Sequence, residues 1–195
     1  MGQLNKNINM LQSNKIKTIS EQYSTIITIS TAFIGSLLLA LLARLSFPVP
    51  FSPVPVTGQT FGILFLGALL GSRIGTLSVI MYLFEGIIGL PVFAGGSLGL
   101  LYLFGPTGGY LIGFIPAVYL VGYLSENGWS DKLSTALITM TFGTFIIFIF
   151  GISWLSVTAG FGTALTIGLY PYLPGAVIKI MLATVAVYSI NRLNK

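Results

Sequence analysis

The chain has 195 residues and a formal net charge of +5; 54% of its residues are hydrophobic and only 7% are charged. Soluble domains carry roughly a quarter charged residues, so this composition excludes an ordinary water-facing surface and indicates an integral membrane protein. With no Cys, no His and only 4 acidic residues, the chain cannot form disulfides, Cys/His zinc sites or Ser-His-Asp triads, and we expect no enzymatic activity, cofactor or metal site.

The N-terminal segment is polar, and its apolar residues are scattered, with at most two in a row. It lacks the compact apolar run of a cleavable signal sequence. We therefore expect residues 1–22 to form a cytoplasmic tail, residues 23–191 a transmembrane domain, and residues 192–195 a second short cytoplasmic tail.

Apolar segments that approach the roughly 20 residues needed to cross a bilayer follow one another along the chain. They predict an all-α integral membrane protein with six transmembrane helices. The predicted spans are 24–47, 57–70, 76–90, 105–124, 134–152 and 174–190. The alternative is a fusion of the short second and third spans, but Arg73 beside Gly71 favours a turn between them.

The basic residues fall mainly on one side of this predicted bundle. An even number of spans places both termini on the same side, together with the lysines of the tail, Arg73, Lys132, Arg192 and Lys195. The opposite side has only Arg44, near a helix end. Because cytoplasmic loops collect Lys and Arg, we expect a multi-pass plasma-membrane protein with both termini in the cytoplasm.

The three outward connections are long, uncharged and rich in Pro, Gly and aromatic residues. They cover residues 48–56, 91–104 and 154–172. One interpretation is ordinary interfacial loops, with Trp154, Tyr170 and Tyr172 in the aromatic belt. The other, which we favour, is a lidded ligand pocket at the outer face, since long ordered loops often carry function.

Lys179 is the most informative single residue. It lies five residues after Pro174, which is about 7–8 Å along a helix. A lysine at this depth either snorkels to the interface or receives an anion. The N-terminus of its helix faces the same side and also favours negative charge. We therefore favour a receptor for the carboxylate of a small ligand.

Other polar and small residues leave two interpretations open. Glu85, within the third span, is either a structural carboxyl group or a contact to a ligand, proton or ion. Arg44 is most simply an interfacial anchor. Small residues recur every four positions and indicate either close packing inside the bundle, which the sequence alone favours, or docking of another subunit. These residues are Ala32, Ser36 and Ala40, and Gly67, Gly71 and Gly75.

No nucleotide site is recognisable in the chain. The cluster from Gly105 to Tyr110 is rich in glycine but lacks the lysine and the Ser/Thr of a phosphate-binding loop. If ATP powers transport, another chain must therefore hydrolyse it.

Several ordered motifs resemble the BioY family, the biotin-binding S components of energy-coupling factor (ECF) transporters. They extend from about Pro53 to Lys179, which is most of the chain. The motifs are PVPVTGQT at 53–60, GALLG at 67–71, GLPVFAGG at 89–96, GPTGGY at 105–110 and GISWL at 151–155.

The resemblance implies a six-helix subunit that captures biotin from outside and holds its carboxylate at Lys179. It also implies partners, namely a transmembrane coupling protein and two ABC-type ATPases. A small-residue motif on the first helix docks such partners in the family, and the ladder Ala32, Ser36 and Ala40 fits that motif. The resemblance thereby reverses the preference for internal packing of this ladder.

One departure from the family concerns the sixth helix. The family usually has an aspartate after Pro-Gly, whereas here Pro174 and Gly175 are followed by Ala176. Glu85 lies where the family is usually apolar, and we hypothesise that it restores the missing negative charge from a neighbouring helix.

Further candidate ligand contacts are Thr57, Gln59, Thr107 and Tyr110, with Trp154 packing on the rings of the ligand. Gln59 and Tyr110 fit an interhelical hydrogen bond equally well. The alternative function is an ion-coupled secondary transporter or channel for a small anionic solute that uses Glu85 and Lys179.

Overall fold

The structure is a computed structural model and describes residues 24–193. The predicted N-terminal tail, residues 1–22, lies outside the described residues, as does Lys195. The described part is an all-α bundle with one very short β-hairpin. Its helices are α1 (Ser24–Arg44), α2 (Gln59–Ile87), α3 (Leu100–Phe104), α4 (Gly108–Glu126), α5 (Leu133–Ala159), α6 (Phe161–Gly168) and α7 (Leu173–Leu193).

Among the described residues, five helical stretches are long and apolar enough to cross a membrane. The longest of them, α2, is broken at Gly71, whose φ of 77° and ψ of 178° are not helical. Gln59 and Tyr82, from opposite ends of α2, share a hydrogen bond of 2.5 Å. A straight helix would separate them by about 34 Å. The chain therefore reverses at Gly71, and α2 is a helical hairpin that supplies the predicted second and third spans.

The first connection also contains regular structure. The predicted first span extends to residue 47, but α1 ends at Arg44, and the chain continues into strand β1 (Ser46–Phe47). This strand pairs antiparallel with β2 (Val56–Thr57), and Ser46 lies opposite Thr57. The hairpin loop carries the prolines and returns the chain directly to the start of α2.

The stretch 153–172 is mostly helical rather than a loop. The predicted end of the fifth span at residue 152 is wrong, because α5 continues to Ala159; α6 and a 3₁₀ turn (Tyr170–Tyr172) then lead into α7. The hydroxyl groups of Ser156 and Thr166 donate to backbone carbonyls three residues earlier, at 2.8 Å each. Polar side chains in this stretch are thus accommodated within helices.

Glycines allow α2, α4 and α5 to pack closely. A Cβ atom at Gly67 would lie 2.8 Å from the backbone oxygen of Val118 on α4, and one at Gly122 would lie 2.6 Å from the Cα atom of Ser72. Only a residue without a side chain permits such approaches. The ladder that includes Gly67 therefore packs inside the bundle, as the sequence alone favours.

The ladder on α1 also faces inward. Ala32 and Ser36 are 0% exposed, and Ala40 is partly buried. Ser36 contacts Glu85 on the second leg of α2, and the neighbouring Gly35 approaches Ser78. Ala32 and Ser36 thus pack against the rest of the bundle, Ala40 is only partly covered, and docking of a partner on this ladder stays a prediction.

Candidate functional site

A cavity of about 70 Å³ lies where the first loop, α2, α4, α5 and the start of α7 meet. A cavity needs roughly 10–15 Å³ of such space to hold one water molecule, so this cavity is well above that minimum. Apolar side chains form most of its walls, namely Val54, Val56, Leu111, Phe114, Ile147 and Phe148. The polar residues that line it are Thr57, Gln59, Thr60, Tyr102, Thr107, Tyr110, Thr144, Tyr172 and Lys179.

Lys179 is the only charged residue among the described residues that line this cavity. Its Nζ atom donates a hydrogen bond of 2.9 Å to the Oγ1 atom of Thr60 in the first turn of α2. An ammonium group has three N–H donors, so two remain for other acceptors. Ala176, one helical turn earlier on α7, lines the same cavity. The positive end of the cavity is therefore built by α7 and the start of α2.

Two hydroxyl groups that line the cavity donate their hydrogen bonds to backbone carbonyl oxygens. Tyr110 donates to the oxygen of Gly168 at 2.7 Å, and Thr144 donates to the oxygen of Met140 at 2.9 Å. Each hydroxyl has a single proton, so both oxygens are left as acceptors. Away from Lys179, these groups thus favour a ligand that brings N–H or O–H donors.

The first loop closes over the cavity and is attached to the C-terminal part of the bundle. Ser52 donates a hydrogen bond of 2.7 Å to the oxygen of Ile167 on α6, and its Oγ atom lies 2.6 Å from the hydroxyl of Tyr172. Tyr172 also donates to the oxygen of Val54. Since Val54 and Tyr172 line the cavity, these bonds hold two of its walls together.

The connection between α2 and α3 packs on the neighbouring side of the cavity. Its Phe93 is fully buried between the rings of Tyr82 and Tyr102, at centroid distances of 5.6 and 5.2 Å. Arg44, whose side chain is exposed, donates a bond of 2.8 Å to the oxygen of Pro91 and so ties the end of α1 to this connection. Tyr102 and Ala94 reach the cavity wall.

The structure brings five of the predicted ligand contacts together in this cavity: Thr57, Gln59, Thr107, Tyr110 and Lys179. The sequence did not predict four other polar residues of the lining, which are Thr60, Tyr102, Thr144 and Tyr172. Among these residues, only Thr60 has an indication in the sequence, because it directly follows the predicted contact Gln59.

Trp154 lies outside the cavity. Its indole N–H donates a bond of 3.0 Å to the oxygen of Gly105, and its ring packs beside Gly109 at the start of α4. The indole thereby fixes the connection that precedes α4, and the structure does not bring it to the predicted ligand contacts that line the cavity.

Glu85 is 8% exposed and also lies outside the cavity lining. Its Oε1 atom is 2.7 Å from the Oγ atom of Ser36, and its Oε2 atom has no hydrogen-bond partner among the described residues. Lys179 is bonded to Thr60 instead. The structure therefore does not bring Glu85 to Lys179 as the hypothesis of a restored charge requires.

Comparison with known proteins agrees with this architecture. The sequence model described as "BioY family" matches residues 13–195. The "Biotin transporter BioY" of Rhizobium etli is 36% identical over 161 residues, which cover 78% of this chain and 86% of that protein. The protein of the same description from Lactococcus lactis is 33% identical and covers 94% and 95% of the two chains.

A solved structure shares the fold. The crystal structure described as "the S-component for biotin from an ECF-type ABC transporter" matches with a TM-score of 0.77 and 30% identity, over 87% of this chain and 93% of the other. Family match, relatives and structure agree over most of the chain, so this protein belongs to the BioY family.

Proposed function

We propose that this protein is the biotin-binding S component of an ECF-type transporter and that it captures biotin in the cavity beneath the first loop. The observation that carries the proposal is the distribution of donors and acceptors in that cavity. Lys179 offers two free N–H groups at one position, whereas Tyr110 and Thr144 present acceptors elsewhere. Biotin has the matching groups, a carboxylate at one end and ureido N–H donors at the other.

Different lining residues contact different parts of the ligand. Lys179, with Thr60, holds the carboxylate, and the apolar walls cover the aliphatic chain. Gln59, Thr57, Thr107 and Tyr110 contact the ring system. This division follows the usual design of small-ligand sites, in which a few oriented polar groups stand among apolar walls.

Transport requires other chains. As a member of a transporter family the protein is not an enzyme, and its sequence has no nucleotide-binding motif. We therefore assign ATP hydrolysis to ABC-type ATPases and the link between them and this subunit to a transmembrane coupling protein. The solved structure named above comes from such an ABC transporter.

Both termini face the cytoplasm in this proposal, and the membrane is the plasma membrane. Arg73 lies at the turn of α2, whose Ser72 is bonded to Glu126 at the end of α4. Lys132 immediately precedes α5 beside that end, and Arg192 lies in the last turn of α7. The positive charges therefore collect at the end of the bundle opposite the cavity, which supports a cytoplasmic assignment.

Two measurements on the purified protein test the proposal. Mass spectrometry identifies the molecule that copurifies in detergent, and calorimetric titration measures biotin binding. We expect copurified biotin and saturable binding with one site per chain. Uptake into vesicles should then require the coupling protein and the ATPases. Absence of biotin binding, or uptake driven by an ion gradient with this chain alone, would overturn the proposal.

A further inference from the structure

The orientation of the Gln59 side chain is fixed by its neighbours. Gln59 is 3% exposed, and its Nε2 atom lies 2.5 Å from the hydroxyl oxygen of Tyr82. The Tyr82 hydroxyl donates to the backbone oxygen of Val92 at 3.1 Å. A phenol has one proton, and a carbonyl can only accept, so that proton belongs to the bond with Val92. The contact with Gln59 must therefore use an N–H group of the amide.

This arrangement leaves the amide oxygen of Gln59 for the cavity. Gln59 lines the cavity, and within residues 24–193 its Oε1 atom receives no hydrogen bond. An amide oxygen on the wall of a mostly apolar cavity is an acceptor, so a bound molecule that supplies an N–H group is favoured there. The ureido group carries the only N–H donors of biotin.

We infer that Tyr82 is a positioning residue for ligand specificity. It holds the amide of Gln59 in one orientation, so that the amide oxygen accepts a hydrogen bond from a ureido N–H group of the ligand. Tyr82 is itself 0% exposed and outside the cavity lining, so it acts only through its neighbours. The inference rests on the proposed function, because it names the ligand group that this part of the cavity recognises.

The same hydroxyl connects this contact to the wall of the cavity. Val92 belongs to the connection between α2 and α3, next to the fully buried Phe93 and two residues before the lining residue Ala94. Loss of the Tyr82 hydroxyl thus frees the amide of Gln59 to rotate and removes one bond that anchors this wall. The substitution Tyr82→Phe keeps the ring that packs on Phe93 and deletes only the hydroxyl.

The test compares biotin with an analogue methylated on a ureido nitrogen, using the full-length purified protein. The natural protein should bind biotin at least about tenfold more tightly than the analogue that lacks the N–H group read by Gln59; both singly methylated isomers are measured. In Tyr82→Phe we expect biotin affinity to fall about tenfold and this discrimination to fall to about twofold. Discrimination between biotin and biotin amide, which reports on Lys179, should stay unchanged.

Two further variants make the outcome decisive. Tyr119→Phe deletes a phenol hydroxyl from an exposed site on α4 and should leave both affinities unchanged. Gln59→Leu should lose the same discrimination as Tyr82→Phe, and the double variant should lose no more, because both act on one contact. Equal losses for biotin and the methylated analogues in Tyr82→Phe would overturn the inference. Failure of the natural protein to bind biotin would instead refute the proposed function.

Discussion

The carboxylate contact at Lys179 gives the sharpest prediction. The perturbation is Lys179→Ala, measured with biotin and with biotin amide, which has the same shape but no negative charge. The Nζ atom of Lys179 has one bond within the protein, to Thr60, and two free N–H groups. Hydrogen bonds to charged groups contribute about 1.5–3 kcal/mol each.

We take the lower value for both bonds, since Lys179 is only partly buried. The loss for biotin is then about 3 kcal/mol, or roughly 150-fold in Kd. Biotin amide offers one carbonyl oxygen to the ammonium and so forms a single bond with it, and it should lose only about 1.5 kcal/mol, roughly 12-fold. The selectivity for the acid over the amide should therefore fall about 12-fold in the variant.

Calorimetric titration of the detergent-purified protein measures both affinities. Lys132→Ala is the matched control, because Lys132 is exposed just before the first turn of α5, outside the cavity. It should change neither affinity. Equal losses of acid and amide in Lys179→Ala would refute the pairing of Lys179 with a carboxylate and leave the lysine a structural role.

Three other substitutions test the fold and the limits of the site. Gly71→Ala places a side chain at φ 77° and should lower the free energy of unfolding by about 2 kcal/mol, whereas Gly162→Ala, with open space around it, should not. Chemical denaturation in detergent measures both. Glu85→Gln keeps a partner for Ser36 and lies outside the cavity, so biotin affinity should stay within about twofold; a larger loss would place Glu85 in the site after all. Trp154→Phe removes one hydrogen bond and should lower stability by about 1 kcal/mol with unchanged Kd, and a weaker Kd would contradict the position described for this indole.

Much of the helical architecture could be predicted from the apolar runs and from the glycine, proline and charged residues that end them. The turn at Gly71 was predicted because a charged residue, Arg73, interrupts an apolar run beside glycine, and the hairpin confirms it. The sequence predicts a connection rather than a helix over residues 153–172, because this stretch is semi-polar and rich in Pro, Gly and aromatic residues. Inside a bundle, hydroxyl groups bond to the helix backbone, so polarity alone does not end a helix there.

A residue of the cavity could be predicted from the sequence where its side chain cannot face lipid. A lysine within a span needs a polar environment, and this pointed to Lys179. Positions such as Trp154 and Glu85 were harder, since their location depends on how each helix is rotated about its axis. Helices that are apolar on every side give no periodic signal for that rotation. The partners of these two residues, Gly105 and Ser36, lie 49 positions away in each case, beyond what local patterns reveal.

The first leg of the α2 hairpin, residues 59–70, rises only about 18 Å. The hydrocarbon core of a typical bilayer is about 30 Å thick. This hydrophobic mismatch of about 12 Å is met by thinning of the surrounding lipid, at a fraction of a kcal/mol per ångström. The thickness of the host bilayer thereby acts directly on the protein through this one short leg.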